Sequence, residues 1–244
     1  MIAALGMYDR PELASANDAL WSAVRAELGF GPNTLDRATP FWDIWPSPEL
    51  LLSQTCGLPY RAHLHDRVQL IGTPDYAVTG CKPGYYRSVI IARKSSGLSL
   101  DALSDATFAY NETGSQSGWA AFWDHVGDKT EVKRMIQSHG HAISAQMVAD
   151  GDADIAALDW VTWQLVKRYD AFADTLTELA LTRPTPGLPF ITASARDAEE
   201  LFNAVKRAIH GLPKRDKAAL MLNGFVAIPK SAYLSEPLPT KATD

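Results

Sequence analysis

The chain has 244 residues and a formal net charge of -5, with 46% hydrophobic and 21% charged residues. That is enough to bury a core as one domain or as two lobes of roughly 100 to 150 residues each, and it excludes a disordered chain. The acidic balance, without a long Lys/Arg cluster, argues against nucleic acid or an anionic membrane as partner, so an anionic ligand has to be held by local donors.

In chain order, residues 2–6 read as a short buried strand. A helix follows from Pro11 to Leu28, with Pro in its first turn, apolar Leu13, Leu20, Val24 and Leu28, and Gly29 as its stop. A loop over 29–33 and a short segment over 38–44 lead to Ser47-Pro48-Glu49, which reads as the start of a second helix ending at Gly57. Arg67 to Gly72 is a further strand, and the β-α-β-α-β series predicts a parallel sheet with right-handed crossovers.

Tyr86 to Arg93 is a long apolar strand closed by the polar break Lys94-Ser95-Ser96-Gly97. A second β/α series follows: a strand at Thr107–Tyr110, a helix from Ser117, a strand at Val132–Ile136 and a helix at His141–Asp150. It continues with a strand at Asp154–Leu158, a helix at Trp160–Tyr169 and a strand at Leu176–Leu181. Arg183-Pro184-Thr185-Pro186-Gly187 separates two apolar segments and reads as a hinge. Leu188 to Thr192 is again a strand, and Ser194 is expected to cap a helix with the apolar face Ala198, Leu201, Phe202, Val205 and Ile209. Lys214 to Leu222 reads as another helix, and residues 235–244 as a loose tail.

The stretch with most chemistry is Asn111-Glu112-Thr113-Gly114-Ser115-Gln116-Ser117-Gly118-Trp119, between a strand and a helix whose apolar residues fall at Trp119, Phe122, Trp123 and Val126. Helix starts carry amide donors with no intrahelical partner and roughly half a positive charge from the macrodipole. Glycines for close approach and serine hydroxyls beside such a start suit an anion, although an ordinary N-cap has the same letters.

Other chemistries find less support. The pairs His63-x-His65 and His139-x-His141 lack the helical spacing, the nearby Glu or the Cys that would complete a zinc set, so no metal and no cofactor are expected. No G-x-S-x-G elbow, P-loop or G-x-G-x-x-G follows a strand. Cys56 and Cys81 are too few for a disulfide scaffold, and are read either as one bridge or as two reduced thiols. Residues 1–9 lack the basic start of a signal peptide, and no run of about 18 apolar residues exists to span a membrane. The compartment is therefore open: cytoplasmic, or exported by a signal outside this sequence.

Four motifs in this order resemble the phosphonate/phosphate/phosphite-type substrate-binding proteins of ABC importers. They are Tyr86-Arg87-Ser88 with Arg93-Lys94-Ser95-Ser96, then Gly114-Ser115-Gln116-Ser117-Gly118-Trp119, then His141-Ala142-Ile143-Ser144 leading to Val148 through Asp159, and finally Pro186-Gly187-Leu188-Pro189. The resemblance spans about residues 68–192. It implies an α/β fold of the type II periplasmic-binding-protein kind, with two lobes and a ligand cleft between them. Lobe 1 is expected over 1–90 plus 187–244, and lobe 2 over 91–186, carrying the anion loop.

By this resemblance Ser115, Gln116, Ser117 and Gly118 hold the oxygens of a phosphonate- or phosphate-like ligand, and His141 donates a charge-assisted hydrogen bond. Asp159 holds an amino group or a protonated oxygen of the ligand, or else caps the Trp160 helix. Tyr8 is an aromatic cleft residue, and Trp42 and Tyr86 are further candidate contacts. Trp45, Trp160 and Trp163 also stand near strand ends and helix starts, as cleft walls or as core. Gln116 departs from the family's usual small hydroxyl residue, and Trp119 from its more common Tyr. The function implied is that of a monomeric, periplasmic solute-binding component that meets a membrane permease if exported and is not an enzyme. The alternative is a cytosolic lyase on the same fold, of the menaquinone-pathway chorismate dehydratase type, with Asp159 or His141 as general acid or base.

Overall fold

The computed structural model describes residues 1–127 and 129–240. In chain order its elements are β1 (Ile2–Ala4), α1 (Ala14–Leu28), α2 (Phe41–Ile44), β2 (Leu50–Gln54), α3 (Gly57–Pro59), β3 (Val68–Asp75), β4 (Tyr85–Tyr86), β5 (Ser88–Arg93) and β6 (Thr107–Tyr110). They continue as α4 (Ala121–Val126), β7 (Arg134–Gln137), α5 (His141–Asp150), β8 (Ile155–Asp159), α6 (Trp160–Tyr169), β9 (Leu176–Leu181), β10 (Thr185–Pro186) and β11 (Phe190–Ala193). The last are α7 (Ala198–Gly211), α8 (Lys214–Leu220), β12 (Gly224–Val226) and α9 (Lys230–Leu234).

The chain divides into two compact units, Met1–Tyr85 with Pro186–Glu236, and Tyr86–Thr185 with the tail from Pro237. It passes from the first to the second within β4 and returns within β10; these two strands pair with each other. The break expected at 90–91 lies inside β5, which pairs along its length with β8 and β9 and so belongs wholly to the second unit.

The first unit has a sheet in the order β1-β2-β11-β3-β12. Only β1 and β2 run parallel; β11 is antiparallel to both β2 and β3, and β12 is antiparallel to β3. The all-parallel sheet expected here is thus corrected to a mixed one. A strand that arrives from the other unit has no crossover helix to dictate a parallel run. The helix expected from Ser47 to Gly57 is also corrected: Leu50–Gln54 is the buried strand β2, next to the sheet's centre. A short apolar run is helix or buried strand by pattern alone, and a five-residue run bounded by Pro48 and Gly57 is strand-sized.

One sheet face packs Leu50, Val68, Ile191 and Ala193 against Ile44, Trp45, Tyr60 and Tyr233. Elsewhere in the unit α1 packs on α7, and α7 on β3. Gly29 closes α1 in the left-handed region at φ 78°, where a residue without Cβ carries no steric cost. The cap of α7 is Asp197, whose carboxylate accepts from the amides of Glu199 and Glu200, rather than Ser194. Cys56 and Cys81 are both reduced, so the bridged reading is not realised.

The second unit has a sheet in the order β7-β6-β8-β5-β9, with β6 parallel to β7 and β8, and β5 antiparallel to β8 and β9. Side-chain alternation divides its strands between two cores. Val89, Ile91, Ala156 and Leu158 face Val148, Trp163 and Val166 of α5 and α6. Ile90, Ile155, Ala157 and Phe108 face Trp119, Phe122 and Trp123. Each fully buried Val or Ile adds about 1.5–3 kcal/mol of hydrophobic stabilisation. This double-faced burial fixes the strand ends from which the site's loops emerge.

Candidate functional site

Beyond β6 the chain turns, and Ser115 becomes the N-cap of a helical segment that starts as a π-type turn over Gln116–Ala120 and runs on as α4. The Ser115 Oγ accepts from the Gly118 amide at 3.0 Å, and the Ser115 carbonyl accepts from the Ala120 amide at 3.0 Å, five residues on. Such a widened first turn begins with amides that no preceding turn can engage. Ser115, Gln116 and Ser117 are all buried.

The Ser117 Oγ lies 2.8 Å from Nε2 of His141, the first residue of α5, and 3.5 Å from the Ser115 Oγ. Two helix starts thus meet through a hydroxyl–imidazole pair. The Asn111 carbonyl accepts from the His139 amide at 3.0 Å and ties the two loops. His139 itself is in the left-handed region at φ 64°. The Ser138 Oγ lies 2.6 Å from the Ser144 Oγ and 3.2 Å from the Tyr110 carbonyl, which fixes the loop to both β6 and α5.

Gly118 is required by space. A Cβ there would overlap the Asn111 Oδ1 and come within 3.0 Å of the His141 Cε1. The Asn111 Oδ1 is buried without a hydrogen-bond partner, a polar atom left at the heart of the loop.

Burial pushes the His141 imidazole down to about 4, against the opposing pull of the Ala157 carbonyl. The ring is therefore neutral at physiological pH, and a hydrogen bond from it to an anion is charge-assisted through the acceptor alone. The site offers hydroxyls, first-turn amides and a neutral imidazole, so any net charge has to come from the ligand. Burial also raises the Glu112 carboxyl, while His139 pulls it the other way.

Asp159 ends β8 and caps α6: its Oδ1 accepts from the Thr162 amide at 3.0 Å, and the residue is buried. The cap is thus realised through Oδ1, and it does not exclude the ligand reading. Tyr86, the first residue of the second unit, is also buried. Trp163 belongs to the core, and Trp160 packs against it.

Tyr8 lies in the first unit and lines a small pocket with Tyr76, Gln54, Asn17, Leu220 and Leu222. The Tyr8 and Tyr76 rings meet edge to face with centroids 5.3 Å apart, and the Gln54 Nε2 lies 3.4 Å from the Tyr76 hydroxyl. Trp42 lies outside this pocket on α2, 47% exposed, with its ring against Trp45 and His63. Trp45 is core. Among the described residues no group of three or more His, Cys, Asp and Glu side chains is placed to hold a metal ion.

Sequence reading placed Asn111 at the start of the loop without giving it a role, and it passed over Tyr76 and Gln54. Pro74-Asp75 ahead of Tyr76 is a turn signal, and turns at strand ends are where ligand residues concentrate. Gln54 carried no such signal, because it sat inside a segment read as helix.

Two α/β units, one presenting a hydroxyl-capped helix start and the other an aromatic pocket, are the parts of a two-lobe solute-binding protein of the type II periplasmic-binding-protein fold. The sequence model of the family described as ABC transporter, phosphonate, periplasmic substrate-binding protein matches residues 52–233, and the chain belongs to that family. Its members are periplasmic binding proteins rather than enzymes, which removes the lyase alternative.

Solved structures agree on the fold. A binding protein component of an ABC phosphonate transporter from Pseudomonas aeruginosa superposes with a TM-score of 0.73 at 18% identity, over 96% of this chain and 83% of that one. PhnD1 from Prochlorococcus marinus, in complex with methylphosphonate, gives 0.74 at 16% identity over 95% and 93%. A Xanthomonas citri protein bound to ATP gives 0.66 at 13% identity over 95% and 93%. No curated protein matches the chain. No helix among the described residues is long and apolar enough to cross a membrane.

Proposed function

We propose that this chain is the solute-binding component of an ABC importer, and that it takes a small phosphonate- or phosphate-like anion on the Ser115–Gly118 turn. The observation that carries the reading is the hydroxyl-capped turn itself, where Ser115, Ser117 and a neutral His141 converge without a fixed anion among the bonds that hold them. Oxyanions suit such sites because amide and hydroxyl donors gain strength against a charged acceptor in a desolvated pocket. Gln116 and Gly118 complete the anion's surroundings. Tyr8, Trp42 and Tyr86 meet the organic part of the ligand. Asp159 serves the site through the helix it caps. The protein works as a periplasmic monomer that delivers its ligand to a membrane permease, consistent with the periplasmic family to which it belongs.

The test is a thermal-shift and calorimetric screen of the purified chain against phosphate, phosphite, methylphosphonate, aminoalkylphosphonates and uncharged organic solutes. Ligand at about 100 times its Kd adds roughly 2.7 kcal/mol and moves the melting point by several degrees. A shift with phosphorus oxyanions is expected. No shift with any of them, beside one with a solute lacking an oxyanion, overturns the proposal.

A further inference from the structure

The connection from β7 to α5 spans only residues 138–140, and its middle residue, His139, stands in the left-handed region at φ 64°. A residue with a Cβ rests there only where neighbouring bonds impose it. Two backbone bonds act on one side: the Ser138 amide donates to the Tyr110 carbonyl at 2.8 Å, and the His139 amide to the Asn111 carbonyl at 3.0 Å. They carry the β6–β7 pairing, whose last register pair is Tyr110 with Gln137, past the strand ends.

Side chains close the other side. The Ser138 Oγ lies 2.6 Å from the Ser144 Oγ, 3.2 Å from the Tyr110 carbonyl and 3.0 Å from the Gly140 carbonyl, and it accepts from the Gly140 amide at 3.3 Å. A hydroxyl has one proton to give. Both carbonyls can only accept, so the Ser138 proton goes to them, and the proton between the two hydroxyls comes from Ser144. Ser144 is fully buried on α5, and its amide donates to the Gly140 carbonyl at 2.8 Å. The chain of donation therefore has one direction, from Ser144 to Ser138 to the end of β6.

His141 stands inside this closure, between Ser138 and Ser144 in the chain and first in α5. Its Nε2 lies 2.8 Å from the Ser117 Oγ, and its Cε1 comes within 3.0 Å of where a Gly118 Cβ would be. Hydrogen bonds weaken steeply with lengthening and misalignment, so the contact with Ser117 survives only if the start of α5 keeps its place.

We infer that Ser138 and Ser144 are positioning residues that hold the start of α5 so that His141 meets Ser117 in the anion turn. The effect on ligand rests on the proposed function, while the hold itself is internal to the second unit, to which every residue from Tyr110 to Ser144 belongs.

Ser138→Ala takes the acceptor away from the buried Ser144 hydroxyl and from the Gly140 amide. Ser144→Ala removes one donor and leaves the other bonds of Ser138 in place. Val166→Ala is the control: it trims a fully buried side chain of α6 and makes none of these bonds.

The experiment records the ring 15N signals of His141 by NMR, and Kd for inorganic phosphate and methylphosphonate by calorimetry, in the wild type and the three variants, with melting temperatures alongside. Ser138→Ala is expected to weaken both anions about tenfold and to move the ring signals. Ser144→Ala should weaken them about threefold, with a smaller movement in the same direction. Val166→Ala should lower the melting temperature at least as far, yet keep affinity within about twofold of wild type and the ring signals in place. Where Ser138→Ala does not fold, Ser144→Ala carries the same test. Unmoved ring signals in a folded variant overturn the inference, and so does an equal loss of affinity in Val166→Ala. If the wild type binds neither anion while the ring signals still move, the hold stands and the proposed function falls.

Discussion

Two strand-to-helix junctions in the second unit use the same kind of cap and reach opposite ends. At the β8–α6 junction the side chain of Asp159 accepts from the Thr162 amide, so the helix start is met by the protein's own carboxylate. At the junction after β6 the Ser115 hydroxyl accepts from the Gly118 amide. Both satisfy an amide that no helical turn can reach, but only the carboxylate also cancels the positive end of the macrodipole. A helix start capped by a neutral group keeps its attraction for an external anion. One capped by Asp has already spent it.

The sharpest way to break this comparison is to give the first junction the cap of the second. Ser115→Asp retains a good N-capping oxygen but places a fixed negative charge where the ligand's oxygens are expected. Binding of methylphosphonate should fall by roughly a hundredfold or more, since like charges in a desolvated site repel by several kcal/mol. Ser115→Ala separates the two effects: it removes a cap worth about 1 kcal/mol without adding charge. If Ser115→Asp binds as well as the wild type by calorimetry, the turn is not the anion site.

Removing the hydroxyl that joins the two helix starts is next in size. Ser117→Ala deprives the ligand of one donor and leaves the His141 Nε2 without the hydroxyl 2.8 Å away. A lost hydrogen bond to a charged group costs about 2 kcal/mol, so Kd should rise roughly thirtyfold. Gly118→Ala should destabilise the fold by about 1–3 kcal/mol in thermal melts, because its Cβ meets the Asn111 carboxamide and the His141 ring, both packed within the loop.

The neutral imidazole gives a pH signature of intermediate size. The His141 pKa in the folded chain is about 4, below the 6.5 of an unperturbed histidine. Between those values the unfolded chain binds more protons, so stability rises with pH across that window and is flat above it. The span corresponds to at most about 3 kcal/mol, lost as pH falls from about 6.5 toward 4. Glu112, whose pKa is raised by burial, works in the opposite sense, losing its contribution as pH rises. The difference in pH dependence between wild type and His141→Gln, measured by denaturant titration, isolates the histidine. A variant with an unchanged pH profile refutes the buried, neutral ring.

How far the sequence reached depends on what kind of signal each feature left. The strands of the second unit were legible because the runs Val89-Ile90-Ile91 and Ile155-Ala156-Ala157-Leu158 are buried on both faces, a composition few other elements share. Helices α5 and α6 were legible from their apolar spacing. In the first unit, Leu50-Leu51-Leu52 was read as helix because leucine favours that state and nothing local reveals that two strands flank it. The three-residue β12 and the five-residue α9 are too short to show a period; β12 is held by pairing with β3, and α9 by Tyr233 packing edge to face on Tyr60.

The Ser115–Gly118 turn stood out for its glycines and serines, yet its π-type start, the burial of Asn111 and the Ser138–Ser144 link did not. The first and last are local bonds that leave no period in the sequence, while Asn111 is enclosed by the approach of the His139–His141 segment. The burial that neutralises His141 comes from the same source. A motif announces which side chains are present, and only packing decides their charge.

The smallest expected effect tests the other half of the comparison. Asp159→Asn keeps a side-chain oxygen for the Thr162 amide and caps nearly as well as Asp, so the loss is chiefly the charge–dipole contribution of about 0.3–1 kcal/mol. The melting temperature should fall by no more than a few degrees, and the affinity for methylphosphonate should stay within about twofold of wild type. An aminoalkylphosphonate supplies the contrast, because its ammonium group would gain from a carboxylate in reach. If Asp159→Asn weakens the aminoalkylphosphonate tenfold while sparing methylphosphonate, the carboxylate holds the ligand's amino group as well as the helix. The difference between the two junctions would then be one of ligand charge rather than of open against closed. If both ligands are unaffected, Asp159 is an internal cap, and the neutral cap at Ser115 is what marks the binding junction.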